Sequence, residues 1–161
     1  MISELNRAYT AGLFDGEGCI TIARHLRRAG YGYQLSITVH MCDDEPLRLL
    51  CKQWGGVVRD RKPNNGSSRP SFRWRLYSGQ AQNFLQDIRP YLQIERVQIK
   101  ADLAVEFQAQ KKIGGEWKGY SEKQRHYYEV MRDLNRRGAT SLNNSERARI
   151  ADLESQLRLV A

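Results

Sequence analysis

Two carboxylates, Asp15 and Glu17, stand either side of a glycine in the stretch Thr10-Ala11-Gly12-Leu13-Phe14-Asp15-Gly16-Glu17-Gly18. Carboxylate oxygens are hard ligands suited to Mg²⁺, and a bound divalent ion can activate water and neutralise charge at a phosphate. One chain offers few such ligands here: Glu17, helped by a backbone carbonyl at Gly16. The same residues can equally close a buried helix with an ordinary cap, and on these residues alone both readings stand. A second set, His40 with Asp43 and Asp44, mixes imidazole and carboxylate, but an isolated histidine on a strand more often makes contacts or packs. His25 and His126 show no ligand spacing. Cys19, Cys42 and Cys51 are odd in number and lack a C-x-x-C pair, so neither a disulfide framework nor a zinc site is expected.

The elements that must position these groups are readable from periodicity. Leu5 to Phe14 has no proline and no β-branched run, and Ser3 is placed to cap it. Ala8, Ala11 and Gly12 form a strip with almost no side chain, along which a second helix can approach closely. Gly16 and Gly18 are expected to allow backbone angles that stop the helix sharply. The period then changes to two. Ile20 and Ile22 oppose Thr21, Ala23, His25 and Arg27; after a turn at Ala29-Gly30, Leu35, Ile37, Val39 and Met41 oppose Gln34, Ser36, Thr38 and His40. Short donors and acceptors of this kind suit base edges in a groove, although an ordinary wet sheet face remains an alternative. Asp43-Asp44-Glu45-Pro46 opens a helix with an inward stripe of Leu47, Leu50, Cys51 and Trp54, stopped by Gly55-Gly56.

A second hairpin follows, with Arg59 and Arg61 leading to a polar turn, and Arg73, Arg75 and Tyr77 alternating with Phe72, Trp74 and Leu76. Ser78 is expected to cap a third helix (Ala81, Phe84, Leu85, Ile88 inward) that ends at Arg89-Pro90, and a long helix is predicted over about 93–112. Beyond Glu116, one helix is expected after Ser121 on Tyr127, Met131 and Leu134, and another on Ile150, Leu153 and Leu157.

The formal net charge is +8, and its location is informative. Residues 19–41 and 55–78, the two hairpins, hold nine Lys/Arg and one acid, while the rest of the chain balances 17 bases with 17 acids. A positive field confined to one sheet points to a polyanionic partner. The 161 residues suggest one domain with a core of its own. No apolar run reaches membrane-spanning length and the N-terminus does not read as a signal peptide. The chain is therefore expected to be intracellular and not secreted, in the cytoplasm of a microbe or an organelle matrix or stroma.

Residues 10–18 resemble the signature of the LAGLIDADG homing endonucleases. The match is clear at Ala11, Gly12, Leu13, Asp15 and Gly18, with Phe14, Gly16 and Glu17 as close replacements. Similarity extends over roughly residues 5–110, including Gln34–Val39 and Val58–Arg61. The resemblance implies an α+β fold, αββαββα, with a curved antiparallel DNA-binding sheet and helices packed behind it. The core would span 1–112, and 113–161 would be a C-terminal helical extension of the same domain. It implies a homodimer joined through Ala8, Ala11, Gly12 and Asp15, with Asp15 more a brace of the helix junction than a metal ligand.

It further implies that Glu17, with Gly16, holds Mg²⁺, and that Mn²⁺ or Ca²⁺ can substitute for binding. The implied activity is cleavage of both strands of a long pseudo-palindromic duplex, leaving 3′ overhangs. DNA-facing residues would be Thr21, Ala23, His25, Arg27, Arg28, Tyr33, Gln34, Ser36, Thr38, His40, Arg59, Arg61, Arg69, Arg73, Arg75 and Tyr77.

Two positions depart from the pattern. Asp43 stands where a polar residue often orients water, and serves either that role or as a helix cap. Glu95 stands where a lysine is common, so Arg96 beside it or Lys100 a turn later would supply the positive charge near the phosphate. If they do not, the alignment is off locally or the enzyme is weak; the competing function, which Glu95 favours, is a non-cleaving binder on the same fold, an intron-RNA maturase or a DNA-binding regulator.

Overall fold

The computed structural model describes residues 2–27, 30–61, 70–110 and 122–136, together with 144, 147, 148, 151, 152 and 155. Helix α1 (Glu4–Glu17) leads into strands β1 (Gly18–Arg27) and β2 (Gly30–Met41). Helix α2 (Glu45–Trp54), strands β3 (Val57–Arg61) and β4 (Ser71–Tyr77), and helix α3 (Ser78–Ile88) follow. A 3₁₀ turn (Arg89–Tyr91) precedes α4 (Glu95–Ala109), and α5 (Glu122–Arg136) comes last. The four strands form one antiparallel sheet in the order β1-β2-β4-β3. The α+β order αββαββα, followed by the helices α4 and α5, is thus as the sequence predicts. The second C-terminal helix, on Ile150, Leu153 and Leu157, lies outside the described residues.

One face of the sheet is the core. Ile20, Ile22, Leu35, Ile37, Val39, Trp74 and Leu76 are buried against Phe14, Leu47, Leu50, Phe84, Leu85, Ile88, Ala101, Ala104 and Phe107 from the helices. Each large side chain fully removed from water contributes about 1.5–3 kcal/mol. Phe84 is the hub: its ring meets those of Phe14, Trp54 and Trp74 at 5.3, 5.3 and 5.1 Å, edge to face. One side chain of α3 thereby ties α1, α2 and β4 together. The indole N–H of Trp74 donates to the Gly55 carbonyl at 2.9 Å, and that of Trp54 to Asp87 at 3.1 Å, so neither buried donor is wasted.

Helix α5 covers the rest of the core with Tyr127, Met131 and Leu134. The Tyr127 hydroxyl donates to Glu106 of α4 at 3.3 Å. Burial, then the charge of Glu106, push its pKa up, so it stays a neutral donor.

One helix cap is as expected, and several other local expectations are corrected. Ser3 caps α1 as expected, its hydroxyl accepting from the Asn6 N–H at 3.3 Å. Asp44 is the α2 N-cap residue but its carboxylate makes no cap bond; it pairs with Arg48 at 2.6 Å instead. Ser78 is the first residue of α3 rather than its cap, with φ 47°, and its hydroxyl accepts from the Gln34 amide at 3.5 Å. Helix α4 is shorter than predicted at both ends.

Gly16 and Gly18 do not adopt positive φ: Gly16 is inside α1 and Gly18 has φ −78°. Glycine is needed at 18 for space, because a Cβ there would lie 2.4 Å from the Phe14 carbonyl oxygen, which accepts the Gly18 N–H. Positive φ occurs instead at Gly55 and Gly56, 77° and 88°, where the chain turns from α2 under Trp74 into β3.

Candidate nucleic-acid interface

The sheet's second face is polar because successive strand residues point to opposite sides. Thr21, Ala23 and His25 of β1, Gln34, Ser36, Thr38 and His40 of β2, and Arg73, Arg75 and Tyr77 of β4 line one open groove of about 610 Å³. Register aligns them across strands: Thr21 with Ser36, Ala23 with Gln34, Ser36 with Tyr77, Thr38 with Arg75 and His40 with Arg73. A second hollow of about 250 Å³, lined by Val57, Arg59, Asp60, Arg73, Arg75 and Tyr77, continues it over β3.

Arg59 and Arg73 are direct cross-strand partners. Like charges facing each other on a sheet are unfavourable in water, and an anionic ligand would relieve that repulsion. Arg75 is aimed by its neighbour, donating to the Tyr77 hydroxyl at 2.7 Å.

One predicted contact residue is elsewhere. Tyr33 is 6% exposed on the helix side of the sheet, its ring 5.3 Å from that of Tyr128 in α5. It shares the parity of Leu35 and Ile37, so the strand period itself excludes it from the groove. Arg27 and Arg61 lie at strand ends, paired through backbone to Gly30 and Ser71, and their side chains are outside the description. Arg28 and Arg69 are outside the described residues altogether. Sequence reasoning missed a cluster on the helix side: the Arg24 guanidinium lies 4.4 Å from the Tyr31 ring centre and 5.6 Å from that of Tyr128, which Arg132 also approaches at 5.6 Å.

The acidic end is built by α1. Glu17 is its last residue and is exposed where β1 begins. Asp15 turns the other way, and its carboxylate accepts the Gln93 N–H at 2.8 Å, joining α1 to the segment ahead of α4. Among the described residues no three His, Cys, Asp or Glu side chains converge as a metal cluster. A single exposed carboxylate, beside helix-terminal carbonyls such as that of Gly16 that lack intrahelical donors, fits part of a hard-cation site.

The basic side chains of α4 separate cleanly. Arg96 is 5% exposed and donates to the Leu134 carbonyl at the end of α5. This corrects its expected catalytic place, because a guanidinium committed to the interior cannot also meet a phosphate. Glu95 is exposed and grips Arg147 through two bonds of 2.9 and 2.8 Å, so its negative charge is neutralised within the chain. Lys100 is the cation that remains near β1. Its ammonium donates to Asn135 at 3.3 Å, and burial, with Cys19 acting against it and Arg96 adding to it, lowers its pKa from the ordinary lysine value. Asp43 is exposed just past β2 and takes no part in capping α2.

The helix strip is also reassigned. Ala11 is fully buried in its own chain's core, and Asp15 is engaged with Gln93. The outward face of α1 carries Leu5 (79% exposed), Ala8, Tyr9 (51%), Gly12 and Gly16. A Cβ added at Gly12 or Gly16 would meet nothing within 4 Å.

No protein-family model and no curated protein matches this sequence. Among solved structures, the fold is similar to the homing endonuclease I-CvuI in complex with an uncleaved DNA target and Mg (TM-score 0.61, 20% identity, 94% of this chain and 96% of that chain). It is also similar to I-SmaMI bound to uncleaved DNA with calcium ions (0.59, 18%, 90% and 48%). A third match is the LAGLIDADG meganuclease I-CpaMI bound to uncleaved DNA (0.59, 15%, 93% and 49%). The chain therefore spans nearly all of I-CvuI and about half of each of the other two. The fold is that of the LAGLIDADG homing endonucleases.

Proposed function

We propose that this chain is a site-specific double-strand DNA endonuclease of the LAGLIDADG homing type. It acts as a homodimer on a long pseudo-palindromic site and leaves 3′ overhangs. The observation that carries this reading is a single sheet face that combines base-sized polar groups with arginines, and whose first strand starts at the exposed carboxylate of Glu17. Arg59, Arg73 and Arg75 would hold phosphates or fork onto guanine, and Gln34, Ser36, Thr38 and His40 would read base edges.

Two copies meeting through the outward face of α1 would bring two Glu17 carboxylates beside one duplex. Glu17, with the Gly16 carbonyl, would hold Mg²⁺, which supplies an activated water and charge neutralisation at the phosphate; Mn²⁺ or Ca²⁺ would support binding. Lys100 would add positive charge on the strand side of the phosphate, where Glu95 is silenced by Arg147.

A duplex library incubated with protein and Mg²⁺, with the cut ends sequenced, tests the reading. Glu17→Gln is expected to lower the cleavage rate by about 10³-fold, equivalent to about 4 kcal/mol, while leaving binding intact. Specific binding without any cut in Mg²⁺ or Mn²⁺ would replace it with a non-cleaving regulator or intron-RNA maturase.

A further inference from the structure

The two cations on the inner side of α4 end at consecutive residues of α5. Arg96 is received by the Leu134 carbonyl and Lys100 by the Asn135 side chain. Asn135 uses both ends of its amide: Oδ1 accepts from the Lys100 ammonium at 3.3 Å, and Nδ2 donates to the Ile20 carbonyl at 2.8 Å. The reverse orientation would set an NH₂ against an ammonium and an oxygen against a carbonyl, so the two contacts fix the amide. Strand β1 is an edge of the sheet, and Asn135 supplies a donor to a backbone carbonyl there. Ile20 lies three residues beyond Glu17, within about 10 Å at the strand rise per residue. A long, flexible lysine on one helix is thus indexed to the strand that begins at the acidic end.

We infer that Asn135 is a positioning residue: it holds the Lys100 ammonium beside the start of β1, so that α5, which lies outside the αββαββα core, completes the cleavage centre. The inference rests on the proposed nuclease function. Three groups act on Lys100 directly. Asn135 of α5 presents an oxygen, the charge of Cys19 of β1 raises its pKa, and Arg96, one turn before it on α4, lowers it. An oxygen acceptor favours the charged ammonium in a half-buried place that otherwise disfavours it. Without Asn135 the amine loses that support and its direction together.

The test compares Asn135→Ala and Asn135→Asp with the parent, alone and in a Lys100→Ala background. Asn135→Ala is expected to slow single-turnover cleavage by roughly 10- to 100-fold with DNA affinity unchanged, and to move the alkaline limb of the rate profile to lower pH. In the Lys100→Ala background it should add nothing, because it acts through that amine. Asn135→Asp keeps an acceptor and should move the limb to higher pH, and it remains informative if the alanine variant folds poorly.

The Lys100 ammonium can also be titrated by NMR with lysine labelled at Cε, in the free protein. Its pKa should fall in Asn135→Ala and rise in Asn135→Asp. A parent that never cuts DNA, with these NMR shifts observed, sinks the nuclease reading and leaves the Asn135–Lys100 contact standing. An active parent whose rate, alkaline limb and Lys100 titration are the same in all Asn135 variants overturns the inference and leaves the nuclease reading intact.

Discussion

At the scale of single residues, Gly18 joins the end of α1 to the start of β1 in a space too small for a Cβ. The motif marks it as a glycine position, and backbone freedom is the usual reason, yet its φ is ordinary. The constraint is the 2.4 Å between an added Cβ and the Phe14 carbonyl oxygen, a local contact with the last turn of α1 rather than a need for positive φ. Gly18→Ala is expected to cost about 1–3 kcal/mol, read as a lower midpoint in thermal or denaturant unfolding. An unchanged midpoint would mean that the helix end shifts without cost.

The cations of α4 are sorted by tertiary packing instead. Sequence spacing brings Arg96 and Lys100 near the acidic end, but only the packing of α5 decides that one turns inward and the other stays by β1. Asn135 left no signal, because a lone asparagine near a helix end is commonplace and its partners lie 35 and 115 residues away.

At the scale of elements, the strands were the most legible part of the chain. Alternation over Leu35 to Met41 and Phe72 to Leu76 assigns each residue to a face, and the groove follows that assignment. Tyr33 obeys the same rule, and only the family resemblance sets it in the groove. Helix termini were less legible, since Asp44 and Ser78 have cap chemistry but find better partners in Arg48 and Gln34. The small-residue strip on α1 was visible, but a helix shows two sides, and burial of Ala11 reveals which one is already used. The outer side keeps Leu5 and Tyr9 beside Gly12 and Gly16, a bare surface against which a twin helix can lie. Gly12→Leu meets no atom of its own chain within Cβ reach. It is expected to leave unfolding of the single chain nearly unchanged while shifting sedimentation from the proposed dimer to monomer. A dimer that survives this change would place the contact elsewhere.

At the scale of the whole molecule, the charge excess of the chain resides in the two hairpins, which pair into one sheet. Arg59, Arg73 and Arg75 share its groove face, and Arg59 and Arg73 face each other across strands. Duplex binding should therefore weaken steeply with salt. Arg73→Gln, present twice in the proposed dimer, should reduce the slope of log K against log salt by about 2. A slope that does not change would remove Arg73 from the phosphate contacts.

The division of the sheet into a packed side and a groove side carries an evolutionary consequence. Thr21, Ala23, His25, Ser36 and Thr38 lie away from the aromatic hub and the aliphatic layer that hold the strands together. Exchanges at these positions leave the core untouched, so under the proposed function recognition can wander from one sequence to another while the scaffold stays put. A chain built this way can trade one bound sequence for a different one without first passing through an unfolded ancestor.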